Sequence, residues 1–150
     1  MSVGATVLEV AQEIGPGLAK AALAGRVNGQ LVDLRTPLQG DVDLAIVTSR
    51  DPEAGEVIRH SAEHVMADAV KRLFPQAQVD AGRADHSEKF QYDFLVDEPF
   101  TPEDVERIDA EMKKILKEDA SFERTVVTRE EAESLFRTRG EMLKLERLGD

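Results

Sequence analysis

Hydrophobic side chains recur along this chain with two different periods, and the change from one to the other marks out its elements. Val7, Val10, Ala11 and Ile14 fall on one helical face. The preceding Thr6-Val7-Leu8-Glu9 has the form of a capping box, in which the Thr6 hydroxyl takes the Glu9 amide and the Glu9 carboxylate returns the bond. Gly15-Pro16 stops that helix. A short turn over Leu18–Leu23 leads into Arg26–Leu34, where Asn28-Gly29 is the strongest local hairpin signal, because both residues tolerate the positive φ of a type I′ turn. Pro37–Asp41 makes another turn, and Val42–Thr48 half-alternates as a strand. The expected result is a small antiparallel sheet with a helix across it, short by one hairpin. So few strands offer little apolar face to the helix, so that either the start is truncated or this module leans on a neighbour.

Arg50–Gly55 is a polar bend and divides the chain into a first module, residues 1–50, and a second, residues 51–150. From Glu56 to Phe74 the period is helical again: Ile58, Ala62, Val65, Ala69 and Leu73 form an apolar stripe that Pro75 ends. Ala77–Ala81 reads as a short strand, Gly82–Lys89 as a polar loop and Phe90–Val96 as a second strand. Thr101 is a helix N-cap with Pro102 in the first helical position and acids in the first turn, and Val105, Ile108, Met112, Ile115 and Leu116 line one side as far as Asp119. Phe122–Val127 is expected as a strand, Arg129–Arg139 as a helix capped by Thr128 and closed by Gly140, and Met142–Leu148 as a last strand. The order helix-strand-strand-helix-strand-helix-strand predicts an α+β domain with helices laid on an antiparallel or mixed sheet.

Charge and composition narrow what such modules do. The net charge of −11 is concentrated in the second module, since residues 1–50 carry four basic and five acidic side chains and the remainder fifteen and twenty-five. That field does not attract a phosphate backbone, which argues against gripping a long duplex but leaves room for contact with one RNA end. With no cysteine, disulfides and thiolate metal sites are excluded. No apolar run approaches the roughly 20 residues of a membrane span, and Met1–Ala11 has no signal-peptide pattern, so a cytoplasmic protein without a membrane partner is expected.

Two of the three histidines stand as His60-Ser61-Ala62-Glu63-His64, at i and i+4 on one helix face and offset from the apolar stripe. Such a pair can orient a water and move a proton near neutral pH. The same spacing describes two partly exposed histidines beside a core stripe. Glu63 is not placed in the H-E-x-x-H order of zinc proteases, and two imidazoles are too few to close a zinc site. His86 could supply a third ligand, but it sits in the polar loop where a solvated ring is as ordinary, and no metal is assigned. Tyr92, Asp93 and Lys144 complete the candidates. Tyr92 is the sole tyrosine, between two phenylalanines, and Lys144 lies opposite Leu143 and Leu145 if Met142–Leu148 alternates as a strand. An inward lysine there could hold a phosphate or a carbonyl oxygen, and a snorkelling lysine fits as well.

Several motifs occur together in order: Ile58-Arg59-His60-Ser61-Ala62-Glu63-His64-Val65-Met66, Val70-Lys71-Arg72-Leu73-Phe74-Pro75, Phe90-Gln91-Tyr92-Asp93-Phe94, Pro99–Val105, and Gly140-Glu141 with Lys144. In that register the chain resembles the N-terminal region of threonyl-tRNA synthetases. Its front, Gly15–Ala22 with Val27-Asn28-Gly29 and Leu34–Asp41, is similar to their TGS domain, a ubiquitin-like β-grasp module, here without its opening strands. The resemblance implies proofreading: hydrolysis of serine wrongly esterified to threonine tRNA by the incomplete editing region at residues 51–150. It casts His60 and His64 as positioning the hydrolytic water and the terminal ribose, Lys144 as an electrostatic clamp, and Tyr92 with Asp93 as substrate-binding residues. Implied partners are the tRNA acceptor end and the remaining domains of a synthetase that dimerises through its core. The ATP and zinc of such an enzyme belong to that core, as its Cys-x-x-x-His half-motif belongs beyond Asp150, so no cofactor is expected in this chain. Lys89 stands where the family has glycine, Gln91 where it has tyrosine, and the 83–88 loop is longer by one residue. A tRNA- or protein-binding module without catalysis and a free-standing editing factor are the alternative readings.

Overall fold

A computed structural model describes residues 4–82, 85–120, 122–123 and 125–149. The chain forms two compact units: one runs to Arg59 and includes His86–Glu88, and the other comprises His60–Asp85 and the residues from Lys89 onward. Among the described residues no helix is long and apolar enough to cross a membrane.

The first unit is built on the expected local signals. Thr6 caps α1 (Val7–Ile14) in a complete capping box with Glu9, whose carboxylate takes the Thr6 amide at 2.7 Å. Pro16 starts a second helix, α2 (Pro16–Ala21), in the position where its missing N–H costs nothing. That helix ends earlier than the turn expected over Leu18–Leu23, because Ala22 and Leu23 already belong to β1 (Ala22–Val27). Asn28 and Gly29, at φ of 50° and 83°, turn the chain into β2 (Gln30–Val32). β3 (Leu44–Thr48) returns on the other side of β1, giving an antiparallel sheet in the order β2-β1-β3. Val7, Val10 and Leu38 form the buried centre, with Val27, Val32, Leu44 and Ile46 packed around them.

The second unit takes up α3 (Ala54–Leu73) from His60 onward and continues with β4 (Gln78–Gly82), β5 (Tyr92–Leu95), α4 (Pro102–Glu118), α5 (Arg129–Arg139) and α6 (Met142–Gly149). Val65, Ala69 and Val70 of α3 meet Ala77, Ile108 and Ile115 in one core, which Phe74, Phe94 and Phe100 flank. The stripe expected on α3 holds at Val65 and Ala69, while Ile58 is half exposed and Val70 takes a core place that the stripe omitted. Thr101 with Asp104 and Thr128 with Glu131 close two further capping boxes, at the heads of α4 and α5.

Two expected strands are corrected. The described residues of Phe122–Val127 form no strand, and Phe122, Val126 and Val127 are exposed, so they do not bury the alternate face that a strand in this sheet would; among the described residues β4 pairs with β5 alone. Met142–Leu148 is helix α6. Its residues are nearly all strong helix formers, and Met142, Leu145 and Leu148 repeat at three-residue spacing, which overrides the short alternation around Lys144. With α5 closed by Gly140 in the left-handed region, α6 lies along β4: Gln78 Oε1 accepts the Met142 amide at 3.0 Å and Arg147 pairs with Asp80 at 2.6 Å. The fold remains α+β, with the element order of the second unit revised to one helix, a hairpin and three helices.

Candidate functional site

α3 sets His60 and His64 one turn apart on an exposed face, and their Nε2 atoms approach to 3.0 Å with ring centroids 4.9 Å apart. At that distance one nitrogen donates and the other accepts, with the roles set by the tautomer of each ring. The hairpin of β4 and β5 brings Tyr92 edge-on to His64 at 6.4 Å, and Phe122 places its ring 6.0 Å from His64. A concavity of about 300 Å³ opens beside His64, walled by Val65, Ile115, Leu116 and Phe122 with Asp68 and Asp119 at its margin. Thus the segment wrongly expected as a strand supplies an aromatic wall to the histidine face.

Glu63, between the two histidines in sequence, turns inward and is 3% exposed. Its carboxylate fills the space over Gly82, where a Cβ would lie 1.7 Å from Oε1, and it accepts the Gln91 amide at 3.4 Å. The residue thereby ties α3 to β4 and to the residue just before β5, the strand that carries Tyr92. Its sequence signal is an acid heading an otherwise apolar helical column with Met66 and Val70. That clue is readable only once the partner across the column is known.

Burial pushes the Tyr92 hydroxyl above its ordinary value, and the negative charge of Glu63 adds to the shift. Tyr92 therefore stays protonated and able to donate a hydrogen bond at neutral pH. The proton is held more tightly in the folded chain than in the unfolded one, so stability linked to this group is intact below pH of about 10 and is lost as pH rises through the folded value. Because Tyr92 is the only tyrosine and there is no tryptophan, tyrosinate absorbance follows this one group. The native chain should ionise at higher pH than the denatured chain. Glu63→Gln should move the native midpoint down only part of the way, since burial is the larger cause; coincident native and denatured curves would refute the placement.

The other candidates lie apart from this face in different ways. Asp93, expected with Tyr92 in a substrate pocket, is exposed on the opposite face of β5 and is hydrogen-bonded by the Gln91 side chain at 3.3 Å. Lys144 is on α6 rather than on a strand. Its ammonium lies 3.5 Å from Glu141 Oε2 and over the Phe136 ring, and Glu141 also pairs with Lys71 at 3.7 Å. His86, read as a solvated loop residue, is buried in the first unit, where Arg59 donates to the His86 and Ser87 carbonyls. Residues 83 and 84 of the altered loop lie outside the described residues. Among the described residues no group of three His, Cys, Asp or Glu converges as a metal-binding set; the histidine pair offers two nitrogen ligands.

Comparison with known proteins places these features in a family context. A family model described as TGS domain matches residues 1–48, which contain the helix and small sheet of the first unit. Along its whole length the chain is 49% identical to a threonine–tRNA ligase of Citrifermentans bemidjiense, of which it covers 23%. It is also 50% identical over 99% of its length to the ligase of Desulforamulus reducens, and 52% identical over 98% to that of Pelobacter propionicus, again covering 23% of each. The chain spans about a quarter of the length of the curated relatives it matches.

Proposed function

We propose, for a chain that carries a TGS domain and is related along its whole length to the N-terminal region of threonine–tRNA ligases, that it forms the front of an enzyme charging tRNA with threonine. In this reading the face bearing His60 and His64 removes serine wrongly esterified to that tRNA. The observation that carries it is the imidazole pair at 3.0 Å beside Tyr92, Phe122 and the concavity of about 300 Å³.

The need for such a site is physical. Threonine and serine differ by one methyl group, and a pocket gains only about 1–3 kcal/mol from it, so a second site that admits the smaller product raises fidelity. One imidazole of the pair takes a proton from water as its oxygen attacks the acyl carbon of the ester. The bond to the ribose oxygen breaks, and the imidazole that took the proton returns it to that oxygen as it leaves, so the ring ends neutral as it began. Tyr92, held protonated, donates a hydrogen bond and walls the serine side. Lys144, on α6 and paired with Glu141, is set apart from the histidine face and takes no part in this step. The net charge of the second module opposes gripping a long duplex and leaves room for a local contact with the RNA's acceptor end. The ATP and zinc chemistry of charging would belong to the rest of such an enzyme.

The test is the full-length enzyme offered threonine tRNA esterified with serine or with threonine. Serine should be released at least about tenfold faster, more than the discrimination expected from a single methyl in the weaker cases. Equal release, or none from the serine ester, would remove the editing assignment and leave a binding role for the region.

A further inference from the structure

α3 carries three titratable side chains close together in two directions: His60 and His64 are exposed, while Glu63 turns inward toward the hairpin of β4 and β5. Burying a carboxylate is costly unless the groups around it hold it in place. Here Oε1 occupies the spot where a side chain on Gly82 would begin, and the Cε1 atom of the Tyr92 ring lies 3.3 Å from that same spot. Carboxylate and ring therefore abut one bare Cα, and Gly82 is the residue paired with Tyr92 across the hairpin. The other carboxylate oxygen, Oε2, accepts the amide of Gln91, the residue just before Tyr92. The ladder shifts register between Val79 and Gly82, so regular pairing alone does not set where Tyr92 falls. Glu63 braces both the cross-strand partner of Tyr92 and its predecessor in the chain, and all of these residues belong to the second unit.

We propose that Glu63 is a positioning residue for the serine-releasing face: by reaching Gly82 and the Gln91 amide it fixes the ring of Tyr92 beside His64. It acts through Tyr92 rather than on the substrate. Its consequence for hydrolysis rests on the editing reading, whereas the placement of the ring does not. The arrangement uses reach rather than charge. Glutamine has the same length and an amide oxygen able to accept from Gln91, while aspartate keeps the charge and is one methylene short.

Two readouts separate the placement from its consequence. Because Tyr92 is the only tyrosine, ring-labelled tyrosine in the intact chain gives one set of NMR signals, and their cross-peaks to the His64 ring report where it stands. Glu63→Gln should keep those cross-peaks, while Glu63→Asp and Glu63→Ala should weaken them with the amides of α3 and α4 still protected. In the full-length enzyme, single-turnover release of serine from threonine tRNA should slow by about 10–10²-fold in Glu63→Ala and Glu63→Asp, the scale of a displaced reacting group, and by no more than about threefold in Glu63→Gln. In a Tyr92→Ala background, Glu63→Ala should add no more than about twofold, since nothing is left to position. A residue that only supports the fold would slow both backgrounds alike. The proposal is overturned if Glu63→Ala leaves the cross-peaks unchanged, if aspartate preserves them where glutamine does not, or if the losses in the two backgrounds are equal. Should Glu63→Ala lose its fold, the contrast between glutamine and aspartate decides alone. A parent enzyme that releases no serine removes the editing reading instead, and the ring signals then still decide whether Glu63 places Tyr92.

Discussion

His64→Ala in the full-length enzyme is expected to slow release of serine from mischarged threonine tRNA by about 10²–10⁴-fold, the range for losing a positioned acid–base group. The ring is exposed, so its removal leaves the helix and core intact, and the melting temperature should stay close to that of the parent. What disappears is the nitrogen 3.0 Å from His60 and the ring contacts to Tyr92 and Phe122. If the two imidazoles act as one unit, His60→Ala should cost nearly as much as His64→Ala, and the double variant little more than either, because residues that act together are strongly non-additive. Single-turnover hydrolysis of the serine ester measures all three. A His64→Ala enzyme that hydrolyses at the parental rate would make the pair a surface feature of α3.

Gly25→Val is expected to destabilise the first unit more than any other single change considered for it. α1 crosses β1 at this glycine so closely that an added Cβ would lie 2.7 and 2.9 Å from the two methyl groups of Val7. Val7 is fully buried, and its amide donates to the Thr36 carbonyl, so the helix cannot lift away without giving up core packing and a backbone bond. Overpacking of this kind costs about 1–3 kcal/mol and occasionally more. Alanine at position 25 should fall within that range and valine at its top or beyond. Val7→Ala should recover part of the loss in the Gly25→Ala chain, because it removes the methyl groups that collide. Denaturant unfolding with amide exchange read at β1 measures the effect, and a Gly25→Val chain as stable as the parent would show that α1 can slide on the sheet.

The site was partly legible beforehand for the same kind of reason that this glycine was not. The i,i+4 spacing of His60 and His64 follows from helix geometry alone, whereas Tyr92 and Asp93, expected together at the substrate, fall on opposite faces of their strand. The burial of Glu63 depends on Gly82 and Gln91, both distant in sequence. Phe122 reaches His64 from a segment without regular structure among its described residues, so no periodicity announces it. Around Lys144 a local pattern was misleading: three alternating positions suited a strand, while the longer run of helix-forming residues and the three-residue repeat made α6 and set Lys144 against Glu141.

By itself, then, the sequence determined the features whose partners lie within about four residues: the capping box at Thr6, the helix caps at Thr101 and Thr128, the Asn28-Gly29 turn, the long helix read from Glu56 and the shared face of its two histidines. It also carried the ordered motifs of a synthetase front. Only the tertiary structure decided that Gly25 must lack a side chain, that Glu63 is buried and that Phe122 walls the histidine face. The reason is one of range. A capping hydroxyl or a helical repeat is satisfied within its own turn, whereas close approach and burial depend on where distant parts of the chain come to rest.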